Sequence, residues 1–295
     1  MDDPNSLLWH YTTFNGLQGI VTGNVWASSL AYLNDTTEYR YALEMALQAL
    51  EAPSQSDHRG RFSLTYSSVP KMLQHYFGRV QGDSIFVACF SRAFDDLNQW
   101  RAYTGNPGFA IGLDGEELAS AAGSSFELRE CCYDAREQRK GLDDKLKELT
   151  GLMELEEADL GAGVASTNAG IFEGERSSFI ERWSYEIFRC VDALAASYKH
   201  PKFAAEQEVR LVGKRPGTLG GRNQPWSEHY RVSGSLLVPY VSINIGLSRE
   251  LSPIKLIAIG PGPHPRAVAD ATRQMLRSHG ISAEVIVSEV PFRNW

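Results

Sequence analysis

Leu8-Trp9-His10-Tyr11-Thr12 is the stretch that decides the fold, because it has the composition of a β-strand and carries polar groups where a sheet core is expected. Successive side chains of a strand point to opposite faces. His10 therefore shares a face with Leu8 and Thr12, whereas Trp9 and Tyr11 point to the other. Since a strand buried on both faces is normally an apolar run, His10 is either a hydrogen-bonded core histidine or part of a semi-polar cleft.

A short acidic loop follows the next predicted strand, residues 25–29. This loop holds Asn34 and Asp35, and Glu38 comes directly after it. Carboxylates in a loop after a buried strand either cap a helix or hold a ligand. We predict a helix from about residue 37 to 51, and both roles stay open for the acidic residues.

The composition is that of an ordinary globular protein. The chain has 295 residues, of which 43% are hydrophobic, and this is enough for one large domain or two small ones. The formal net charge of −7 disfavours a protein that holds nucleic acid tightly, because such proteins cluster basic side chains against the phosphates. Nucleic acid is still possible as a substrate.

The N-terminus lacks a basic segment followed by an apolar one, and the longest apolar runs are far too short to span a bilayer. We therefore expect a cytoplasmic protein that has no membrane partner. The four cysteines have no C-x-x-C spacing, which predicts reduced, structural thiols and no zinc site.

The order of the predicted elements indicates an α+β fold built on a mixed, mainly antiparallel sheet. We expect a single domain over residues 1–295, with a helical insertion at about 135–198 and a C-terminal β-α-β unit. Strands are predicted at 7–12, 25–29, 84–91, 109–113, 126–133, 206–213, 230–245, 254–259 and 283–287.

Two carboxylates and an arginine share one face of the predicted strand that opens at residue 206. Period-two geometry sends Glu206, Glu208 and Arg210 to that face. One interpretation is a solvated edge with a weak ion pair. The other is a site in which Arg210 keeps a glutamate ionised, so that the carboxylate binds a sugar hydroxyl and stabilises positive charge at an anomeric carbon.

A second polar and aromatic cluster runs from Asp95 to Tyr103. Trp100 and Tyr103 lie on one face of a predicted helix at i, i+3, where they serve as core anchors or stack on a ligand. No local Ser-His-Asp or Cys-His arrangement is present, which disfavours nucleophilic hydrolases.

Short motifs in this order resemble a bacterial family known only as domain of unknown function 2971, over nearly the whole chain. They are Trp9–Thr12, Trp26–Ser28, Asn34-Asp35 with Glu38, Cys89–Ser91, Trp100 with Tyr103, Phe203 with Glu206–Arg210, and Ile259–Pro261. That family has no settled activity, so the resemblance implies no function.

A second resemblance is to the ADP-ribosyltransferase fold, in which residues on three strands surround NAD. His10, Ser91 and Glu208 would take those places. The resemblance implies that His10 binds the adenosine-side ribose and that Glu208 holds the nicotinamide ribose while its glycosidic bond breaks. Glu206-Gln207-Glu208 is similar to the E-x-E signature of the arginine-directed members, and the loop at 199–203 would face the acceptor. In members whose first-strand residue is histidine, the middle-strand residue is normally a tyrosine. This chain has Ser91 at the middle-strand position instead.

The leading hypothesis is thus an enzyme that transfers ADP-ribose or hydrolyses NAD, as an effector of a bacterial defence or toxin system. NAD is its substrate, and no metal is expected. The partners would be a protein or nucleic-acid acceptor, a second copy of the chain, or a defence-system protein. The expected catalytic residues are Glu208, Glu206 and His10, and NAD would be bound by His10, Tyr11, Ser91, Trp100, Tyr103, Arg210, Asn34 and Asp35.

Two other hypotheses remain open. Asp35, Glu38, Glu206 and Glu208 would supply oxygen ligands for Mg²⁺ or Mn²⁺ in a phosphodiesterase or nuclease. Alternatively, the chain is a non-enzymatic module that senses a nucleotide or a partner protein.

Overall fold

The computed structural model describes residues 3–33, 37–51, 71, 85–163, 169–214, 226–246 and 252–292. The chain divides into two units. The first contains Met1–Leu33, Ser84–Cys131 and Lys202–Trp295, and the second contains Asn34–Asp83 and Cys132–Pro201.

A ten-stranded sheet forms the centre of the first unit. Its strands are β1 Leu8–Thr12, β2 Asn24–Ser29, β3 Ile85–Ser91, β4 Phe109–Leu113, β5 Phe126–Glu130, β6 Glu208–Lys214, β7 Glu228–Ser233, β8 Leu236–Asn244, β9 Ile254–Ile259 and β10 Glu284–Val287. The main path runs β10-β9-β4-β1-β3-β2-β8-β7, and β6 joins β3 to β5. All neighbours are antiparallel except β9 and β10, which confirms the predicted α+β class and its mainly antiparallel sheet.

The helices whose bounds lie within the described residues are, in chain order, α1 Phe14–Val21, α2 Thr37–Glu51, α3 Leu97–Tyr103, α4 Gly115–Ala122, α5 Ala135–Gly163, α6 Ala169–Ala195 and α7 Pro265–Ser278. Local chemistry explains several starting points. The Asp96 side chain accepts hydrogen bonds from two backbone N–H groups at the start of α3, and Asp114 caps α4 in the same way. Pro265 occupies the first turn of α7, where its missing N–H costs no hydrogen bond.

Strand β3 is the branch point of the sheet. One edge pairs with β6 from Ile85 to Ser91. The other edge is shared, because Ser91 pairs with Trp9 of β1, whereas Val87 pairs with Ser28 of β2. Strands β1 and β2 therefore diverge beside the middle of β3.

The sheet has a packed core on each face. The larger core includes Leu8, Phe90, Ile111, Leu211 and Ile257, all buried. The smaller one, on the opposite face, combines Leu7, Trp9, Tyr11 and Leu256 with Trp100 from α3. The alternation along β1 thus buries apolar side chains on both faces.

The second unit is mainly helical where it is described. Helices α5 and α6 contribute Met153, Phe179 and Trp183 to a buried cluster. The Tyr41 hydroxyl of α2 donates to Gln138 Oε1 over 2.8 Å. The helices expected at 135–198 are therefore present, and they belong to a unit that also includes α2.

Three predicted strand boundaries are wrong. Strand β6 begins at Glu208, because a 3-10 helix covers Pro201–Glu206. The strand predicted at 230–245 is a hairpin whose turn contains Gly234 with φ 57°, and β5 ends at Glu130.

The C-terminal β-α-β unit is confirmed, since α7 connects the parallel strands β9 and β10. Among the described residues, no helix combines the length and the apolar character needed to cross a membrane.

Candidate functional site

Glu208 and Arg210 form an ion pair inside the sheet at the start of β6. Arg210 Nε donates to Glu208 Oε1 over 2.8 Å, and Nη2 donates to Oε2 over 3.1 Å. The side chains are 7% and 1% exposed, respectively. The solvated-edge interpretation is therefore wrong, because β3 and β5 cover the two edges of β6. The two side chains share one face, as their spacing predicts.

The Cys89 thiol lies beside this ion pair. Cys89 pairs with Arg210 across β3 and β6, and its thiol is hydrogen-bonded to the Glu208 carboxylate. Burial raises the thiol pKa well above its ordinary value, the Glu208 charge raises it further, and Arg210 opposes the change. Cys89 is thus a neutral thiol that helps to hold Glu208, and its environment is unsuited to a nucleophile.

Glu206 precedes this pair and is partly exposed. The Tyr103 hydroxyl donates to Glu206 Oε1 over 3.2 Å, and the Tyr103 side chain is itself 38% exposed. Gln207 has φ 43°, so strand alternation does not extend back to Glu206. The segment thus presents one carboxylate near solvent and holds the next one inside.

Ser91 fixes the backbone that carries Glu206. Its hydroxyl donates to the Glu206 carbonyl over 2.6 Å and accepts from the Ala93 N–H over 3.0 Å. The Arg92 N–H also donates to the Gln207 carbonyl over 3.0 Å. Ser91 is 4% exposed, so its role is to position the loop before β6.

His10 is not brought together with Glu208. Trp9 pairs with Ser91, and Ser91 pairs with Glu208, so these three side chains lie on one face of the sheet. His10 points to the other face, where its ring is 5.7 Å from that of Phe90. Its Nδ1 donates to the Cys89 carbonyl over 2.9 Å. Burial lowers the His10 pKa, which agrees with a neutral, hydrogen-bonded core histidine.

Tyr11 and Trp100 are anchors of the smaller core. The Tyr11 hydroxyl donates to the Ala93 carbonyl over 2.8 Å and accepts from the Asp96 N–H over 3.1 Å. Burial raises the Tyr11 pKa. Trp100 is 3% exposed, and its ring meets that of Tyr11 edge-on at 4.9 Å. Within α3, Tyr103 therefore offers more ring surface for a ligand than Trp100 does.

Asp95 is a structural residue whose role the sequence analysis missed. It accepts hydrogen bonds from Trp100 Nε1 over 2.8 Å and from the Glu289 N–H over 3.0 Å, and also from the Ser288 hydroxyl. Its φ of 51° is left-handed, a conformation that Asp tolerates better than most residues. The sequence signal for this role was the pair of consecutive aspartates before α3. The helix needs only Asp96 as its N-cap, so Asp95 is left for another role.

Asn34 and Asp35 lie outside the described residues, and so does the Glu38 side chain. In the ranges that the structure does describe, no group of three or more His, Cys, Asp or Glu side chains is arranged to hold a metal ion.

A surface cavity of about 510 Å³ lies beyond the ends of β9 and β10. Such a position, outside the carboxyl ends of parallel strands, is a common place for ligands. Its lining includes Pro261, Pro263, Val287, Ser288, Pro291 and Phe292. None of the predicted site residues lines it.

Comparison with known proteins supports one of the two resemblances, over residues 99–211 rather than over nearly the whole chain. No curated protein and no solved structure matches the chain, so the ADP-ribosyltransferase likeness stays a prediction. Residues 99–211 match the family model of a protein of unknown function, DUF2971. The matched segment contains Trp100, Tyr103, Glu206, Glu208 and Arg210, and the chain is thus similar to DUF2971 proteins across the segment that carries the candidate site.

Proposed function

We propose that the chain cleaves the N-glycosidic bond of NAD and passes ADP-ribose to a macromolecular acceptor or to water. The observation that carries this proposal is the hydrogen bond from Tyr103 to Glu206 beside the buried Glu208–Arg210 pair. The Glu206 carboxylate lies near solvent beside the exposed Tyr103 ring, and the Ser91 hydroxyl fixes the backbone at Glu206.

The chemistry requires a carboxylate at the sugar. When the bond between C1′ and the nicotinamide nitrogen breaks, its electron pair leaves with nicotinamide and positive charge develops at C1′. A carboxylate held next to that carbon stabilises the transition state, and such preorganised groups typically contribute about 10²–10³-fold in rate. The acceptor or a water molecule then forms the new bond to C1′ and loses its proton.

We assign the contact with the sugar to Glu206, because its side chain is partly exposed whereas that of Glu208 is 7% exposed. The Tyr103 hydroxyl orients the Glu206 carboxylate, and the Tyr103 ring offers a stacking surface for nicotinamide. Glu208 and Arg210 hold the start of β6, the strand that follows Glu206. His10 has no part in this proposal, because it lies on the opposite face of the sheet.

The test is incubation of the purified protein with NAD that is isotope-labelled in its ADP-ribose moiety. Nicotinamide release and the transfer of label to protein or nucleic acid are followed together. Glu206→Gln should lower the release by about 10²-fold or more, and Tyr103→Phe should lower it less. Glu284→Gln, at an exposed position on β10, is the matched control and should leave the rate unchanged.

Two results would overturn the proposal: no release by the native protein, or equal release by Glu206→Gln. A metal-dependent phosphodiesterase would instead lose activity in EDTA and regain it with Mn²⁺. Binding of a nucleotide without turnover would favour the sensing module.

A further inference from the structure

Three aromatic rings form a row across strands β2, β8 and β7. The ring centroid of Trp26 lies 4.7 Å from that of Tyr240, and the Tyr240 centroid lies 5.5 Å from that of His229. The planes within each pair are inclined by 34° and 36°, so neighbouring rings turn their faces toward one another. Trp26 is 45% exposed, and His229 is exposed as well. We call these three residues the ring row.

The ring row stands on the face of the sheet opposite to the larger core. Ala27 pairs with Val241, and both belong to that core, so their neighbours Trp26 and Tyr240 point to the other side. His229 pairs with Tyr240 and shares its side. The two outer rings, Trp26 and His229, therefore each have one face that no other ring of the row covers.

Arg231 places a positive charge beside the ring row. It follows His229 by two residues and points to the same face, where its Nη2 donates to the Ser28 hydroxyl over 3.1 Å. Within the described ranges, the Arg231 Nε is buried and has no hydrogen-bond partner. A buried polar group without a partner needs an explanation, and an ion or a ligand is one. The neutral Ser28 hydroxyl leaves the charge of the guanidinium uncompensated.

The charge of this face favours an anionic ligand. At the positions that point this way, the described strands β2, β7 and β8 carry Arg231 and no aspartate or glutamate. Glu228 is directed to the opposite face, because it pairs with Val241 of the larger core. An anion that approaches the ring row along these strands thus meets a cation without a competing carboxylate.

We infer that the ring row and Arg231 form a binding surface for single-stranded nucleic acid. Every base has a face that stacks on an exposed aromatic ring, and a nearby cation binds the phosphates. Trp26 and Ser28 are two residues apart, about 7 Å at the rise of a strand. A base stacked on Trp26 therefore has its phosphate within reach of the guanidinium at Ser28.

The open shape of the surface favours a single strand over a free nucleotide. A small ligand is normally bound in a concave site that buries most of its surface. A single strand instead lays successive unstacked bases across the aromatic side chains of a sheet. The free faces of Trp26 and His229, at the two ends of the ring row, offer positions for two such bases.

Binding should be weak and should depend on salt. One arginine contacts the phosphates, so the logarithm of the affinity should fall by about 0.7 for each tenfold increase in salt. The net charge of −7 opposes a polyanion. We expect a dissociation constant of about 100 µM at low salt, within the range of non-specific binding. This inference does not depend on the proposed NAD chemistry.

The test is the fluorescence anisotropy of a labelled oligothymidylate of about twelve nucleotides, titrated with the full chain to about 1 mM. Trp26→Ala removes a stacking face and should weaken binding about tenfold. Because Trp26 is 45% exposed, this variant should fold, and its thermal unfolding temperature checks this. Arg231→Met should weaken binding several-fold and remove most of the salt dependence.

Tyr230→Ala is the matched control. Tyr230 is 59% exposed on the same hairpin, but it pairs with Pro239 and points to the opposite face. This variant should bind as the native protein does. An equal loss in Tyr230→Ala would overturn the inference, as would native affinity in Trp26→Ala.

The ligand class is tested with the native protein. No binding of the oligothymidylate would overturn the inference. Equal binding of a duplex of the same length would also overturn it, because a duplex offers no unstacked bases to the rings. Binding of cellohexaose in place of the oligonucleotide would overturn it in favour of a sugar ligand.

Discussion

Arg210 and Glu208 are joined within a single strand by two hydrogen bonds of 2.8 and 3.1 Å, with both side chains buried. They are two residues apart, so they point to the same face of β6. The cost of removing two charges from water is offset only while both partners remain. The start of β6 therefore depends on the pair as a unit.

Replacing Arg210 alone should destabilise the protein strongly. Arg210→Met leaves the Glu208 carboxylate buried without its guanidinium, and such a change typically lowers the free energy of unfolding by about 3–5 kcal/mol. Urea denaturation measures this loss. The double variant Glu208→Leu with Arg210→Met removes both charges and should lose markedly less. Equal losses in the single and double variants would show that shape, and not charge, holds the strand.

His10 should make stability depend on pH. Its pKa is lowered from 6.5 in the folded protein, chiefly by burial, so the unfolded chain binds a proton at higher pH than the folded one does. His10 therefore contributes stability above pH 6.5, and this contribution is lost as the pH falls below that value. The slope is at most about 1.4 kcal/mol per pH unit.

The measurement is the urea midpoint of the native protein and of His10→Asn between about pH 5 and pH 8, the range in which histidine titrates. The difference between the two proteins should narrow or reverse toward acid pH. His264→Gln is the control, because His264 is exposed and its side chain makes no capping hydrogen bond. A constant difference between the native protein and His10→Asn would contradict the burial of a neutral imidazole.

The local geometry of the candidate site was predictable where it depends on strand alternation. The shared face of Glu208 and Arg210 follows from their spacing, and so do the opposite faces of Trp9 and His10. The position of Glu206 was not predictable in this way, because Gln207 adopts a left-handed conformation that interrupts the alternation. Propensity gives little warning of such a residue when it is not Gly, Asn or Asp.

The relation between His10 and Glu208 depends on pairing between distant strands. Their separation follows from the register that sets Trp9 opposite Ser91 and Ser91 opposite Glu208. A shift of one residue in either pairing would reverse the faces. The burial of the Glu208–Arg210 pair likewise depends on β3 and β5 both lying against β6, and a local sequence pattern does not specify these neighbours.

Asp95 should be sensitive to the loss of its carboxylate. It accepts hydrogen bonds from Trp100 and from the segment at 288–289, and its φ is 51°. Asp95→Ala would leave the buried Trp100 indole N–H unsatisfied, which costs about 1–3 kcal/mol, and would add backbone strain. Asp95→Asn keeps an acceptor and tolerates the left-handed conformation, so its loss of stability should be smaller. Equal thermal unfolding temperatures for the two variants would contradict this role.

Gly260 should not accept a methyl group, because the ring of Trp100 occupies the space. A Cβ at Gly260 would lie 2.8 Å from two ring carbons of Trp100 and 3.3 Å from the Gly108 carbonyl. Trp100 cannot withdraw easily, since it is buried and its Nε1 is held by Asp95. We expect Gly260→Ala to lose about 1–3 kcal/mol, as overpacked cores do.

Gly151→Ala is the matched control for this change. Gly151 lies within α5, and an added Cβ there meets no heavy atom within 4 Å. Alanine is favoured over glycine in a helix by about 1 kcal/mol, so this variant should unfold at a higher temperature than the native protein, whereas Gly260→Ala unfolds at a lower one. Native-like unfolding of Gly260→Ala would mean that the Trp100 ring has room to move, and it would contradict the expected clash.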